Sequence, residues 1–234
     1  SKLYEFLYIN ENKTWTEAQQ YCREKHTDLV TVTNMKDMKR LTSKSPGTMT
    51  EAWIGLRDPT NAQRTWHWSQ PGVEFDVNKT EWNHDEPNDN DIENCGFILD
   101  SLKWGDISCN RQKYFLCYND KLILINKNKT WEDALYHCRD HYHDLVTITN
   151  MDDQMWVQEK VRKATSPLVW MGLRYTCTLD FWFWVSDEVV RYKNWAKGEP
   201  MDDCDMSGAM ETGRPYQWFK TFDHMRFNFV CYVS

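Results

Sequence analysis

The sequence INENKTW at residues 9–15 recurs as INKNKTW at residues 125–131, an offset of 125 − 9 = 116 residues. Further segments repeat in the same order: DLVT 28–31 with DLVT 144–147, WIGL 53–56 with WMGL 170–173, WHW 66–68 with WFW 182–184, and YFLCY 114–118 with NFVCY 228–232. Solenoid repeats are shorter and more numerous, so two repeats of about 115 residues indicate two globular domains. We place domain 1 at residues 1–118 and domain 2 at residues 119–234.

Each repeat predicts a helix followed by a region of short strands and long loops. Thr14-Trp15-Thr16-Glu17 reads as a capping box, in which the threonine caps the helix and Glu17 reaches back. Trp15, Ala18 and Cys22 then follow at the spacing of one buried helix face. A second helix is expected after Asn34 and after Asn150. This order predicts an α+β domain with two helices and a small, loop-rich antiparallel sheet.

The composition is that of a folded protein. The net charge of -7 argues against a nucleic-acid partner, which would need clustered Lys and Arg. There is no run of about 18 apolar residues, so we expect no membrane-spanning segment, and the N-terminus does not read as a signal peptide. The chain has 8 cysteines, with no CxxC pair, and three Asn-Lys-Thr sequons at Asn12, Asn78 and Asn128. Together these predict an oxidising compartment and a secreted protein or receptor ectodomain.

The ordered landmarks of each repeat resemble those of the C-type lectin-like domain, as found in fish mannose-receptor-like and related tandem lectin proteins. In domain 1 they are the helix cysteine Cys22, WIGL 53–56, Glu86-Pro87-Asn88, Cys95, Trp104-Gly105-Asp106, Cys109 and Cys117. The resemblance implies the disulfides Cys22–Cys117, Cys95–Cys109 and Cys138–Cys231. In domain 2, Asp223 stands where Cys109 would align, and Cys204 then needs another partner. Cys177 is the predicted one, although sequence alone leaves other pairings open.

The resemblance also implies a Ca²⁺ site in domain 1 that binds sugars. Position by position, its ligands would be Glu86, Asn88, Glu93 and Asp106, with a cis Glu86–Pro87 bond, and the same side chains would contact the sugar. Glu-Pro-Asn resembles the version that accepts mannose, fucose or N-acetylglucosamine. Gly105 departs from the family pattern, which has an Asn ligand there. We therefore expect a weakened site that Gly105→Asn would strengthen.

Other candidate metal sites are less complete. A second, structural calcium site in domain 1 would use Asp58, Asp89 and Asn94, but Ala62 falls where another acid is expected. In domain 2 the Glu-Pro-Asn stretch becomes Glu199-Pro200-Met201, and methionine does not coordinate a hard cation. Lys220 adds a positive charge near the position of Asp106. Domain 2 is therefore expected to lack the site and to serve as a spacer, a protein-binding module or a packing partner of domain 1.

Other functions have less support in the sequence. The carboxylates of domain 1 could imitate a glycosidase pair, but small loop-rich domains seldom form such a cleft and no catalytic motif is present, so we predict no enzyme. His137, His141 and His143 could suggest zinc, yet they have no counterparts in the first repeat. An ice-binding role, known in this family, has no distinguishing feature here. The serious alternative to binding glycans or glycoproteins is calcium-independent recognition of a protein ligand, with a structural or matrix role behind it.

Overall fold

The computed structural model describes residues 3–32, 50–59, 65–88, 94–199 and 202–234. Their contacts divide the chain into two compact units. One comprises Glu5–Asp120, and the other comprises Lys121–Ser234 together with Ser1–Tyr4. From here on, domain 1 denotes the first of these units and domain 2 the second, in place of the predicted bounds 1–118 and 119–234.

Domain 1 has one described helix, α1 (Trp15–Lys25), and seven described strands. The strands are β1 (Tyr4–Lys13), β2 (Asp28–Leu29), β3 (Ala52–Asp58), β4 (His67–Trp68), β5 (Asn94–Ile98), β6 (Trp104–Ser108) and β7 (Lys113–Asp120). The main sheet runs β1-β7-β3-β5-β6, with β2 on β7 and β4 on β3. The predicted second helix after Asn34 lies outside the described residues.

Domain 2 repeats this arrangement with helices α2 (Trp131–His141) and α3 (Met151–Val161). Its strands are β8 (Leu122–Lys129), β9 (Asp144–Leu145), β10 (Leu168–Thr176), β11 (Phe181–Trp184), β12 (Met206–Glu211), β13 (Trp218–Phe222) and β14 (Phe227–Tyr232). The sheet order is β13-β12-β10-β14-β8. The pairings β3–β7 and β10–β14 are parallel, whereas pairings such as β5–β6 and β12–β13 are antiparallel. In each repeat the last strand, β7 or β14, lies beside β3 or β10 and runs in the same direction.

The helix start follows the sequence pattern. Thr14 accepts a hydrogen bond from Glu17 N, and Glu17 Oε1 accepts one from Thr14 N at 3.0 Å, so the capping box is formed. Trp15, Ala18 and Cys22 are the buried residues of α1. Trp15 Nε1 also donates to the carbonyl of Ile54 at 2.8 Å, and Trp131 Nε1 donates equivalently to Met171 at 2.9 Å. These buried bonds satisfy the indole N–H groups and fix each helix against the central strand.

Four disulfides stabilise the two domains. Domain 1 has Cys22–Cys117 and Cys95–Cys109, and domain 2 has Cys138–Cys231 and Cys177–Cys204. Cys22–Cys117 and Cys138–Cys231 tie α1 and α2 to the last strand of their domains. Among the described residues, no helix is long and apolar enough to cross a membrane.

Domain 2 replaces the disulfide Cys95–Cys109 by a polar pair. Cys95 lies opposite Arg57 in the sheet, and the residue opposite the matching Arg174 is Ser207, not Cys204. Ser207 Oγ donates to Asp223 Oδ1 at 2.6 Å, and Asp223 Oδ2 also accepts from Arg174 Nη2 at 3.2 Å. A hydrogen-bonded ion pair thus lies where domain 1 has a cystine.

Candidate functional site

The loop that carries Glu86 is held along the edge strand β6. Trp104 N donates to the carbonyl of Glu81, and Asn83 N donates to the carbonyl of Trp104, both at 2.8 Å. The Trp104 ring is fully buried and packs edge-on against Trp68 and Trp82, with ring centroids 5.5 and 5.6 Å away. This arrangement fixes the backbone on both sides of the loop.

The structure brings three of the four candidate calcium ligands together. Glu86 Oε2 accepts a hydrogen bond from Asp106 N at 3.1 Å, and Asp106 Oδ1 accepts one from Asn88 N at 2.8 Å. The Glu86–Pro87 peptide bond is cis. Asp106 is 5% exposed. The fourth candidate, Glu93, lies outside the described residues.

Two acidic side chains therefore face each other at this site. Partial burial raises the pKa of Glu86 to about 7, and Asp106 adds to the rise through a side-chain hydrogen bond and its negative charge. Ionising both carboxyls in a partly buried place is costly unless a cation lies nearby. The donor chemistry of two carboxylates and an amide suits Ca²⁺, which prefers oxygen ligands. The fit is incomplete, since the described residues contain no cluster of three His, Cys, Asp or Glu that could hold a metal ion.

Gly105 is packed against an aromatic ring, which the sequence analysis missed. Gly105 lies opposite Phe97 in the β5–β6 pairing. A Cβ atom built at Gly105 would lie 2.7 Å from Phe97 Cζ and 3.0 Å from Phe97 Cε1, closer than van der Waals contact allows. Phe97 is 8% exposed and packs edge-on against Trp53. Any side chain at position 105 must therefore displace this ring.

In domain 2 the aromatic residue and the small residue of this pair have changed places. The corresponding pair across β12 and β13 is Ala209 opposite Phe219. The large ring comes from the first strand in domain 1 and from the second strand in domain 2, so each pair has one aromatic and one small residue. Gly105 is thus part of a packing solution as well as the loss of a ligand. Phe97 and Ala209 are matched by the strand register, since they lie opposite Trp53 and Trp170.

The site's counterpart in domain 2 keeps the backbone and changes the charge. Lys220 N donates to Glu199 Oε2 at 3.0 Å, as Asp106 N does to Glu86 Oε2. Lys220 therefore occupies the position of Asp106, where an ammonium replaces a carboxylate. Pro200 and Met201 lie outside the described residues.

The remaining candidates lie elsewhere. Asp58 and Asn94 pair across β3 and β5 and are both 1% exposed, whereas Asp89 and Ala62 lie outside the described residues. The rings of His137 and His141 stack with centroids 4.3 Å apart, and His141 Nδ1 bonds to the carbonyl of His137. Burial lowers the pKa of His137, helped by the charge of His141. All three sequon asparagines, Asn12, Asn78 and Asn128, are exposed.

Both repeats of the chain are similar to known proteins. The family model described as a lectin C-type domain matches residues 11–119 and again residues 127–233. Human C-type mannose receptor 2 is 26% identical over 253 residues, covering 96% of this chain and 17% of that protein. Rat L-selectin is 30% identical over 119 residues, covering 48% of this chain and 31% of that protein. Among solved structures, human lithostathine aligns with a TM-score of 0.45 and 26% identity, covering 51% of this chain and 85% of that one.

The chain therefore belongs to the C-type lectin domain family, with two consecutive copies of the domain. This confirms the predicted tandem, disulfide-stapled α+β fold. Its relatives are lectins and receptors that recognise other molecules and are not enzymes, in agreement with the prediction. The chain spans only 17% of the human mannose receptor that it resembles.

Proposed function

We propose that the protein is an extracellular recognition protein whose domain 1 binds Ca²⁺ and, through it, glycans bearing mannose, fucose or N-acetylglucosamine. The observation that carries the proposal is the convergence of Glu86, Asn88 and Asp106 on one place beside β6. Glu93 completes the proposed ligand set. The bound Ca²⁺ would supply a Lewis-acidic centre for two adjacent sugar hydroxyls.

Several features of domain 1 support the binding of a cation in this proposal. Glu86 and Asp106 are already fixed by backbone hydrogen bonds, so little ordering is needed when a cation binds. The raised pKa of Glu86, caused by burial and then by Asp106, reflects a place where added positive charge is favourable. The similarity to a protein named a mannose receptor supports the same ligand class. Gly105 makes the site one oxygen ligand short, which predicts weak calcium affinity.

The exposed positions of Asn12, Asn78 and Asn128 suit glycan attachment, and the four disulfides suit an oxidising compartment. Both features support secretion or display on a cell surface.

The test is calorimetric titration of Ca²⁺ into chelator-stripped protein, with and without mannose or fucose. We expect one site that sugar tightens, and we expect Glu86→Ala or Glu93→Ala to abolish it. Glu199→Ala is the matched control, because Glu199 makes the corresponding hydrogen bond in domain 2. Equal loss of calcium binding in Glu86→Ala and Glu199→Ala would contradict the assignment to domain 1.

A second function is calcium-independent recognition of a protein. Two observations favour it: the Phe97 ring occupies space beside Gly105, and domain 2 has Lys220 at the position where domain 1 has Asp106. A protein receptor would bind its partner equally well with EDTA and with excess mannose. A glycan lectin would lose binding under both conditions.

A further inference from the structure

Domain 2 builds the same loop scaffold as domain 1 around different chemistry. Ala196 N donates to the carbonyl of Trp218 at 2.9 Å, and Trp218 N donates to the carbonyl of Asn194 at 2.8 Å. These two bonds repeat those that fasten the Glu86 loop to Trp104. The loop that leads to Glu199 is thus held against β13 in the same way.

The Lys220 side chain is surrounded by Trp195 of this loop, Trp182 of β11 and Asp202. Its Nζ atom pairs with Asp202 Oδ1 at 2.5 Å, and the Lys220 side chain is 17% exposed. The same Nζ atom lies 5.2 Å from the centre of the Trp195 ring and 5.7 Å from that of Trp182. A partly desolvated ammonium at such distances from indole faces is attracted by their negative charge density.

The groups around Lys220 also hold one another. Trp182 Nε1 donates to the same Asp202 Oδ1 atom at 3.0 Å. The Trp182 and Trp195 rings contact edge-on, with centroids 4.9 Å apart. Partial burial would raise the pKa of Asp202, but the hydrogen bonds from Lys220 and Trp182 outweigh it and lower the pKa below its ordinary value. Asp202 is therefore an ionised partner of the ammonium.

We propose that Lys220 acts as a resident cation of domain 2, holding Asp202, Trp182 and Trp195 around its ammonium so that these groups are ordered without calcium. The enclosure of the Nζ atom by Asp202, Trp182 and Trp195 carries the inference. In domain 1 the corresponding strand position carries the carboxylate of Asp106. The proposal does not depend on whether domain 1 binds calcium.

A charge-removing variant tests the proposal. Lys220→Met keeps an unbranched apolar stem and removes the ammonium. Lys197→Met is the matched control, because Lys197 is an exposed lysine of the same loop. In EDTA, we expect Lys220→Met to lower the melting temperature of domain 2 by roughly 5 °C and to increase acrylamide quenching of tryptophan fluorescence. The control should match the wild type in both measurements.

A second variant keeps the proposal testable even if Lys220→Met is poorly folded. Lys220→Asp replaces the resident cation by a third carboxylate beside Glu199 and Asp202. We expect its melting temperature to fall in EDTA and to recover with millimolar Ca²⁺, while Lys220→Met does not recover. The proposal is overturned if Lys220→Met melts and quenches like Lys197→Met in EDTA. It is also overturned if the wild-type loop of domain 2 loosens when calcium is removed.

Discussion

Position 105 offers a direct test of how packing limits the proposed calcium site. We predict that Gly105→Asn destabilises domain 1 and does not tighten calcium, contrary to the expectation from sequence. The new Cβ would lie 2.7 Å from Phe97 Cζ, and Phe97 is held by Trp53 on one side. Overpacking of this kind costs about 1–3 kcal/mol. For a domain of this size that corresponds to a fall in melting temperature of roughly 4–12 °C.

The double variant Phe97→Ala/Gly105→Asn separates the two effects. Domain 2 already shows that the sheet accepts alanine at the first position, as Ala209 opposite Phe219. Removing the buried ring alone should cost about 3–5 kcal/mol. Adding Asn to that background should cost less than it does in the wild type, with a coupling energy of about 1–3 kcal/mol. Only the double variant should bind Ca²⁺ more tightly than the wild type.

Thermal unfolding and calcium calorimetry on the two single variants and the double variant provide the cycle. Gly105→Ala is the control, because it introduces the same Cβ contact with Phe97 without an oxygen ligand. If Gly105→Asn alone bound calcium more tightly at unchanged stability, the Phe97 ring would not be the obstacle and this reasoning would be refuted.

Two further predictions follow from the pairing of residues in the structure. Ser207→Cys/Asp223→Cys should form a fifth disulfide, seen as a mass loss of two hydrogens. Closing a loop of 223 − 207 = 16 residues should stabilise the folded state by about 3 kcal/mol, offset by loss of the Asp223–Arg174 ion pair. Free thiols in the folded variant would contradict the prediction. In calcium-free protein, the stability of domain 1 should fall as pH rises from about 4.5 to about 7. Burial and then Asp106 raise the folded-state pKa of Glu86 to about 7. The folded state therefore binds more protons than the unfolded state in this pH range, and raising the pH favours unfolding. Glu86→Gln should remove that fall, and an unchanged pH profile in urea titrations would argue against the raised pKa.

The sequence predicts the features that depend on local spacing. The capping box at Thr14 needs only two residues three positions apart, and the buried face of α1 follows from Trp15, Ala18 and Cys22. The proximity of Glu86, Asn88 and Asp106 could be predicted because the resemblance to a known family supplied the three-dimensional arrangement.

The features that depend on strand register could not be predicted from spacing. Phe97 and Gly105 are eight residues apart in sequence, since 105 − 97 = 8, and become neighbours only through the β5–β6 pairing. Ser207 is recognised as the counterpart of Cys95 because it lies opposite Arg174, whereas sequence order suggested Cys204. The parallel β3–β7 pairing likewise joins segments from opposite ends of domain 1.

The two domains share one scaffold and differ where chemistry is decided. Equivalent tryptophans make equivalent hydrogen bonds, such as Trp53 Nε1 to Lys13 and Trp170 Nε1 to Lys129, both at 2.9 Å. In domain 2 each substitution is accompanied by a matching change in a neighbouring residue. The hydrogen-bonded pair Ser207 and Asp223 replaces a cystine, and Phe219 lies opposite Ala209 where domain 1 has Gly105 opposite Phe97. Lys220 forms an ion pair with Asp202. In domain 2 the charges of Lys220 and Asp202 are thus balanced by groups of the chain itself. In domain 1, burial raises the pKa of Glu86, and the neighbouring Asp106 adds to the rise. If either domain takes its cation from solution, domain 1 is therefore the one to examine.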